Sequence, residues 1–242
     1  MSEEKQKYGI AKPSEAVNVD LLVTLQPNTL QLIDCIDFMR ECPSNYFDLA
    51  IVDPPYGIDM DGGTIGIEGD AKPQEYTKKD WDASPPKQEY FDELLRTSKN
   101  QIIWGANHFI SRIPYDSSSW VIWDKNKVGE KFADGELAWT SFTTAVRIFK
   151  YTWHGFIQGD MKNKEVRIHP TQKPVALYKW LLKKYAKAGD LILDTHVGSG
   201  SSLVACKELG FDYVGYEIDK EYYEQAKRRL ERAFRKYELE FE

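Results

Sequence analysis

Long hydrophobic runs are missing from this chain. No apolar stretch approaches the roughly 20 residues that a membrane-spanning helix needs, so no membrane partner is expected. Cysteine is scarce, with 3 in 242 residues. Cys35, Cys42 and Cys206 are odd in number and show no paired spacing, which excludes a disulfide framework and a zinc-binding pattern, and no metal site is expected. The thiols read as reduced, as in a cytoplasmic protein, and Met1-Ser2-Glu3-Glu4-Lys5 does not read as a signal peptide. Net positive charge is lacking too: 32 Lys and Arg stand against 38 Asp and Glu, a net charge of −6. Taken alone, that balance argues against a nucleic-acid partner.

The charge is unevenly distributed. Residues 1–99 hold 10 Lys and Arg against 19 Asp and Glu, whereas residues 145–187 hold 10 against 2. A cationic segment of that kind can track phosphates, although lysines solvating helix faces would give the same count. Aromatic residues cluster nearby. Six of the seven tryptophans fall between residues 81 and 153, and rings interleaved with Lys and Arg suit base stacking as well as core packing. With 42% hydrophobic and 29% charged residues, the chain can bury a sizeable core as one domain of ordinary size.

The stretch around which the rest is arranged is Asp53-Pro54-Pro55-Tyr56. Phe47 to Val52 reads as a buried strand. Two prolines supply no N–H and end it, leaving an acid and an aromatic ring at the strand's C-terminal end, where open α/β sheets place ligands. The chemistry this suits is methyl transfer to an exocyclic amine. Asp53 and the carbonyl of Pro54 or Pro55 can each accept an N–H, and Tyr56 offers a stacking face for a flipped-out base. A plain strand terminator is the competing reading.

Around this centre, residues 1–27 read as a polar arm. Residues 29–34 read as a strand, and Asp34 as the N-cap of a helix to Cys42. The Gly- and Asp-rich stretch from Gly57 to Trp81 shows neither helix nor strand period and predicts a mobile loop over about 57–85. A helix over 86–97 and strands over 101–104, 119–125 and 143–150 follow. His169-Pro170-Thr171-Gln172-Lys173-Pro174 leads into a helix that Gly189 closes.

Leu191 to Asp194 is a strand and Thr195 to Ser202 a Gly-rich turn. A helix to Leu209, a strand 213–217 ending in Glu217, and a long helix from Lys220 complete a unit whose strands should be parallel. The turn is not a P-loop, because no Lys-Ser/Thr follows the glycines. Leu203 stands where a dinucleotide site wants Gly or Ala. A nucleoside carrying a methionine fits better, since Asp194 can hold an ammonium and would repel phosphate.

Three stretches in this order, Asp53 to Tyr56, His169 to Pro174 and Asp194 to Ser202, resemble the S-adenosylmethionine-dependent amino-methyltransferases of DNA (N6-adenine and N4-cytosine), specifically their β class. Ile33-Asp34-Cys35, Trp123-Asp124-Lys125 and Phe132 to Trp139 also resemble family segments, so the likeness spans about residues 28–240. It implies an α/β fold: a doubly wound, mostly parallel, Rossmann-like sheet over 28–242, with an inserted recognition region at about 105–168.

The resemblance implies catalytic roles for Asp53, Pro54, Pro55 and Tyr56. It implies a cofactor site of Asp34, Asp53, Thr171, Gln172, Lys173, Asp194, Thr195, His196, Gly198, Ser199, Gly200, Ser201, Glu217 and Ile218. Double-stranded DNA is the implied partner, with a second subunit and a cognate restriction nuclease compatible with it. The sequence departs from the family's Asp-Pro-Phe at Asp194-Thr195-His196, removing apolar packing near the methionine, and His196 is expected to point away from the ligand. N6-adenine is the expected target. N4-cytosine methylation, a non-catalytic DNA-binding regulator on the same scaffold, and methylation of RNA or a protein glutamine are the alternatives.

Overall fold

A computed structural model describes residues 25–65, 74–126, 133–154 and 157–239. Most of the expected arm and part of the expected loop, including 66–73, lie outside them, as does Phe132. Eight strands form one sheet in the order β1–β12–β11–β2–β5–β7–β6–β8. They are β1 (Thr29–Leu32), β2 (Phe47–Val52), β5 (Ser98–Trp104), β6 (Trp120–Asp124), β7 (Gly135–Thr140), β8 (Arg147–Lys150), β11 (Leu191–Asp194) and β12 (Asp212–Glu217). Every neighbouring pair is parallel except those made by β7, which runs antiparallel to β5 and β6.

The sheet is covered on both faces because its central strands carry apolar residues that point to both sides. In β2, Leu49 and Ile51 face one core while Phe47, Ala50 and Val52 face the other. The first core packs α3 (Val175–Tyr185), α4 (Ser201–Leu209) and α5 (Lys220–Leu239) through Leu177, Leu181, Leu203, Ala226 and Leu230. The second packs α1 (Cys35–Glu41) and α2 (Gln88–Thr97) through Phe38, Met39, Tyr90, Phe91 and Leu94. Trp104 and Trp123 are core residues on one side and Trp139 on the other, so packing accounts for these three rings. Among the described residues, no helix is long and apolar enough to cross a membrane.

Chain order explains where a ligand goes. From β2 the chain moves outward through β5 to β6, β7 and β8, whereas β11, β12 and β1 fill the other side. Strands β2 and β11 are neighbours, with Ile192 opposite Leu49 and Leu193 opposite Ala50. Asp53 and Asp194 therefore emerge at the same edge, at the C-terminal ends of adjacent parallel strands. Because β7 is reversed, its first residues meet that edge as well.

The stretch after Tyr56 differs from its sequence reading. The described part is not structureless: β3 (Gly63–Ile65) pairs antiparallel with β4 (Gln74–Tyr76). Short strands among glycines and charges leave no alternating apolar pattern, which is why the periodicity misses them. A second short antiparallel pair joins β9 (Trp153–His154) to β10 (Ile157–Gln158). The strand expected over 143–150 begins only at Arg147.

Candidate active site

Asp53 is held at the end of β2 between two donors. The Tyr56 hydroxyl donates to Oδ1 at 2.6 Å and Lys173 Nζ to Oδ2 at 2.5 Å. Lys173 is almost fully buried and also reaches Glu136 at 2.9 Å and the Tyr56 oxygen at 3.1 Å. Glu136, near the start of β7, is paired in turn with Lys125 at 2.7 Å. Two acids and two lysines thus form one largely enclosed network around the buried Lys173, each charge matched by an opposite one. Burial pushes the Asp53 carboxyl up against the opposing pull of Lys173. Burial also acts against the Glu136 charge, but the two lysines overcome it and hold that carboxyl at about 2.

Tyr56 owes its placement to glycine. A Cβ on Gly105, just beyond β5, would lie 2.0 Å from the Tyr56 ring, and Gly105 has φ +68°. The Gly105 N–H donates to the Leu137 carbonyl at 2.9 Å, so the backbone passes close beneath the ring. His108 stacks on Tyr56 with ring centroids 5.0 Å apart and planes 16° from parallel. Pro54 is buried and Pro55 half-buried.

The second half of the edge is built by β11, α4 and β12. Asp194 accepts from the Ser202 hydroxyl and from the His196 N–H at 3.0 Å, both uncharged donors. Burial raises its carboxyl to about 7, and the nearby Asp53 and Glu217 charges add to the rise. Glu217 accepts from the Gly198 N–H at 2.7 Å and the Asp219 N–H at 2.8 Å, closing the Gly-rich turn onto the end of β12. Gly198 and Gly200 have φ of +51° and +78°, the left-handed region where glycine is favoured. A carboxylate offers about four lone-pair positions, so Glu217 keeps acceptor capacity beyond its two backbone partners. Asp53, Asp194 and Glu217 bring three carboxyl groups to one edge, an acceptor set that suits a cationic ligand carrying hydroxyls and opposes a pyrophosphate.

Other residues singled out in the sequence fall in several places. Asp34 caps α1, its Oδ1 accepting the Ile36 N–H at 2.9 Å. The Gln172 amide closes its own turn, accepting from the Ile168 N–H at 3.0 Å and donating to the Val166 carbonyl at 3.3 Å. The Thr171 hydroxyl pairs with His169 Nδ1 at 3.1 Å. Lys173 sits on the Asp53 side of the edge. Thr195 bridges the Tyr90 hydroxyl at 2.7 Å and His196 Nδ1 at 2.9 Å, and the His196 ring meets Tyr90 edge-on. Burial pushes the His196 pKa down to about 4, so the ring is neutral. Ser199 and Ser201 bond each other at 3.1 Å, and Ile218 is exposed.

Sequence reasoning missed Glu136, Gly105, His108 and an ion pair behind the Gly-rich turn. In that pair Arg229 of α5 donates to the Ser199 carbonyl at 3.0 Å and to Ser201 Oγ at 2.9 Å. It also binds Glu165 at 2.5 Å, while Glu165 accepts the Val175 N–H at 2.9 Å, at the start of α3. Glu136 lies in the Phe132–Trp139 segment that resembles the family, but no local pattern singles it out as a site residue, and none singles out Gly105, His108, Glu165 or Arg229.

Residues 122–228 match the N6/N4 methyltransferase family, described as DNA methylase. The type II methyltransferase M.HinfI of Haemophilus influenzae is 29% identical over 248 aligned positions, covering 84% of this chain and 68% of that protein. M.HpaI of Haemophilus parainfluenzae is 46% identical over 72 residues, which cover 30% of this chain and only 23% of M.HpaI. Among solved structures, the M1.HpyAVI–SAM complex superposes with a TM-score of 0.55 at 22% identity, over 83% of this chain and 98% of that one. The fold is the Rossmann-like α/β fold seen in these methyltransferase structures, and residues 122–228, under half of the chain, are similar to the N6/N4 family of DNA methylases.

Proposed function

We propose that the protein transfers a methyl group from S-adenosylmethionine to the N6 amine of an adenine flipped out of duplex DNA. The observation that carries this reading is the set of acceptors around Lys173 Nζ. Asp53, the Tyr56 oxygen and Glu136 all aim at one amine nitrogen. An adenine amine brought to the same edge would find Asp53 as an acceptor, a carbonyl of Pro54 or Pro55 as a second, and the Tyr56 ring as a stacking surface. With both N–H groups engaged, the nitrogen lone pair is freed from the ring and directed at the methyl.

The residues at β11 and β12 fit the cofactor. Asp194 would take its ammonium, the Gly198–Gly200 turn its methionine chain and Glu217 its ribose hydroxyls, and the acidic edge suits the sulfonium charge. When bound, this group supplies an electrophilic methyl. Protein groups supply position and hydrogen-bond acceptors rather than a strong base. Lys173 would neutralise Asp53 and Glu136 until the target amine arrives. The basic segment 145–187 would contact phosphates.

N4-cytosine methylation uses the same acceptors and is the second reading within the family. The Asp before Pro54-Pro55 favours adenine. A panel of duplex DNA, single-stranded RNA and protein acceptors, offered with labelled cofactor, tests the substrate class. Transfer to duplex DNA alone is expected, and exclusive transfer to RNA or protein would refute the proposal. Cofactor binding by calorimetry separates an enzyme from a DNA-binding regulator.

A further inference from the structure

The carboxylate of Asp82 is 2% exposed and touches none of the acceptors named above. It gathers the backbone that follows the Asp53–Tyr56 motif. Oδ1 accepts the N–H groups of Tyr56 at 2.7 Å and Gly57 at 2.8 Å. Oδ2 accepts those of Met60 at 2.8 Å and, more loosely, Ile58 at 3.4 Å. The Asp82 carbonyl also takes the Asp59 N–H at 3.2 Å. A hub of charge-assisted bonds on one short loop is directional and strong. The loop is shaped to receive it: Gly57 has φ +73°, and a Cβ there would sit 2.5 Å from Pro85 Cδ.

Asp82 belongs to a strap that runs across to the cofactor side. Lys79 pairs with Asp219 at 2.7 Å in the turn after β12 and with Glu221 at 3.0 Å in the first turn of α5. The Trp81 ring lies 5.1 Å from His169, which packs at 4.3 Å on Tyr222. A Cβ on Gly198 would lie 3.5 Å from the His169 ring. Within four residues, Lys79, Trp81 and Asp82 therefore contact the turn beyond Glu217, the His169–Pro174 segment and the backbone of Tyr56.

We propose that Asp82 is a positioning residue that fixes the Tyr56 ring for the target base by clamping the Tyr56 and Gly57 N–H groups, and so acts on the chemical step through Tyr56. This rests on the reading that Tyr56 stacks that base. Asp82→Asn keeps the shape but turns an amide toward two of the four donors. Asp82→Ser keeps one acceptor without that conflict.

The test is single-turnover methyl transfer to unmethylated genomic DNA, with cofactor affinity and melting temperature measured beside it, in the wild-type and Tyr56→Ala backgrounds. Both Asp82 variants should slow transfer about 10- to 100-fold in the wild-type background, the scale expected of a small misplacement. Cofactor affinity should stay within about twofold, and in the Tyr56→Ala background the further loss should shrink to about threefold or less.

Equal losses in both backgrounds, or a rate that falls in step with cofactor affinity, would overturn the proposal. Failure of both variants to fold would overturn it as well, making Asp82 a scaffold residue. Wild-type protein that transfers no methyl sinks the underlying reading and this role with it. Wild-type transfer matched by the Asp82 variants sinks only this role.

Discussion

Asp194 is buried with two uncharged partners, and its carboxyl is pushed up to about 7. A cationic ligand would favour its charged form, so ligand binding below pH 7 should release a proton. Affinity for S-adenosylmethionine should therefore rise from pH 6 to pH 8 and then level off, by at most about tenfold per pH unit. Calorimetry in buffers of different ionisation enthalpy reads the released proton directly. A flat profile would remove Asp194 from the ligand. The same shift sets the ligand-free stability. The folded pKa lies above the ordinary aspartate value of 3.8, so this group favours the fold at acid pH and loses that contribution as pH rises from about 4 to 7. Asp194→Asn should abolish both the slope and tight cofactor binding.

Glu136 behaves oppositely, holding its charge between Lys125 and Lys173. Glu136→Gln leaves Lys125 without its acid partner and the buried Lys173 with Asp53 alone. It should lower stability by about 1–3 kcal/mol in thermal or denaturant unfolding. An unchanged melting temperature would contradict the network.

Elements, rather than single motifs, explain which parts of the site could be read from the chain alone. Strand β2 with its prolines, the β11–turn–α4–β12 unit and the Asp34 cap are local patterns, and each is present where its residues suggest. Glu136 could not be read, because it enters on a reversed strand whose register depends on long-range pairing. Asp82 sits 26 residues after Tyr56 in the chain, in a segment with no period, and only the folded loop shows its role.

The resemblance implies that Lys173 closes over the cofactor, and in the structure its side chain contacts Asp53, another residue of that implied set. Gly105 shows how an element end serves the site: its missing Cβ is the space the Tyr56 ring occupies. Gly105→Ala combines that collision with a left-handed backbone and should cost about 2 kcal/mol or more. Its methyl transfer should fall further than a surface variant of equal stability would. Full activity at a normal melting temperature would mean the ring does not need this seat.

At the scale of the whole molecule, the sheet order brings three acids from the ends of β2, β11 and β12 to one edge, while the cationic segment 145–187 lies between β2 and β11 in the chain. Under the proposed function this arrangement reconciles a net charge of −6 with a polyanionic partner: the acidic edge would take the cationic cofactor, and phosphates would meet the lysines and arginines of 145–187. The most direct test is incubation of wild-type and Asp53→Ala protein with labelled S-adenosylmethionine and unmethylated genomic DNA, followed by nucleoside analysis. The account predicts label in N6-methyladenine for the wild type and at least about a hundredfold less for the variant, as expected when a group that positions the reacting nitrogen is lost. Label confined to N4-methylcytosine would overturn the assigned base, and undiminished transfer by Asp53→Ala would contradict the proposed chemistry of the site.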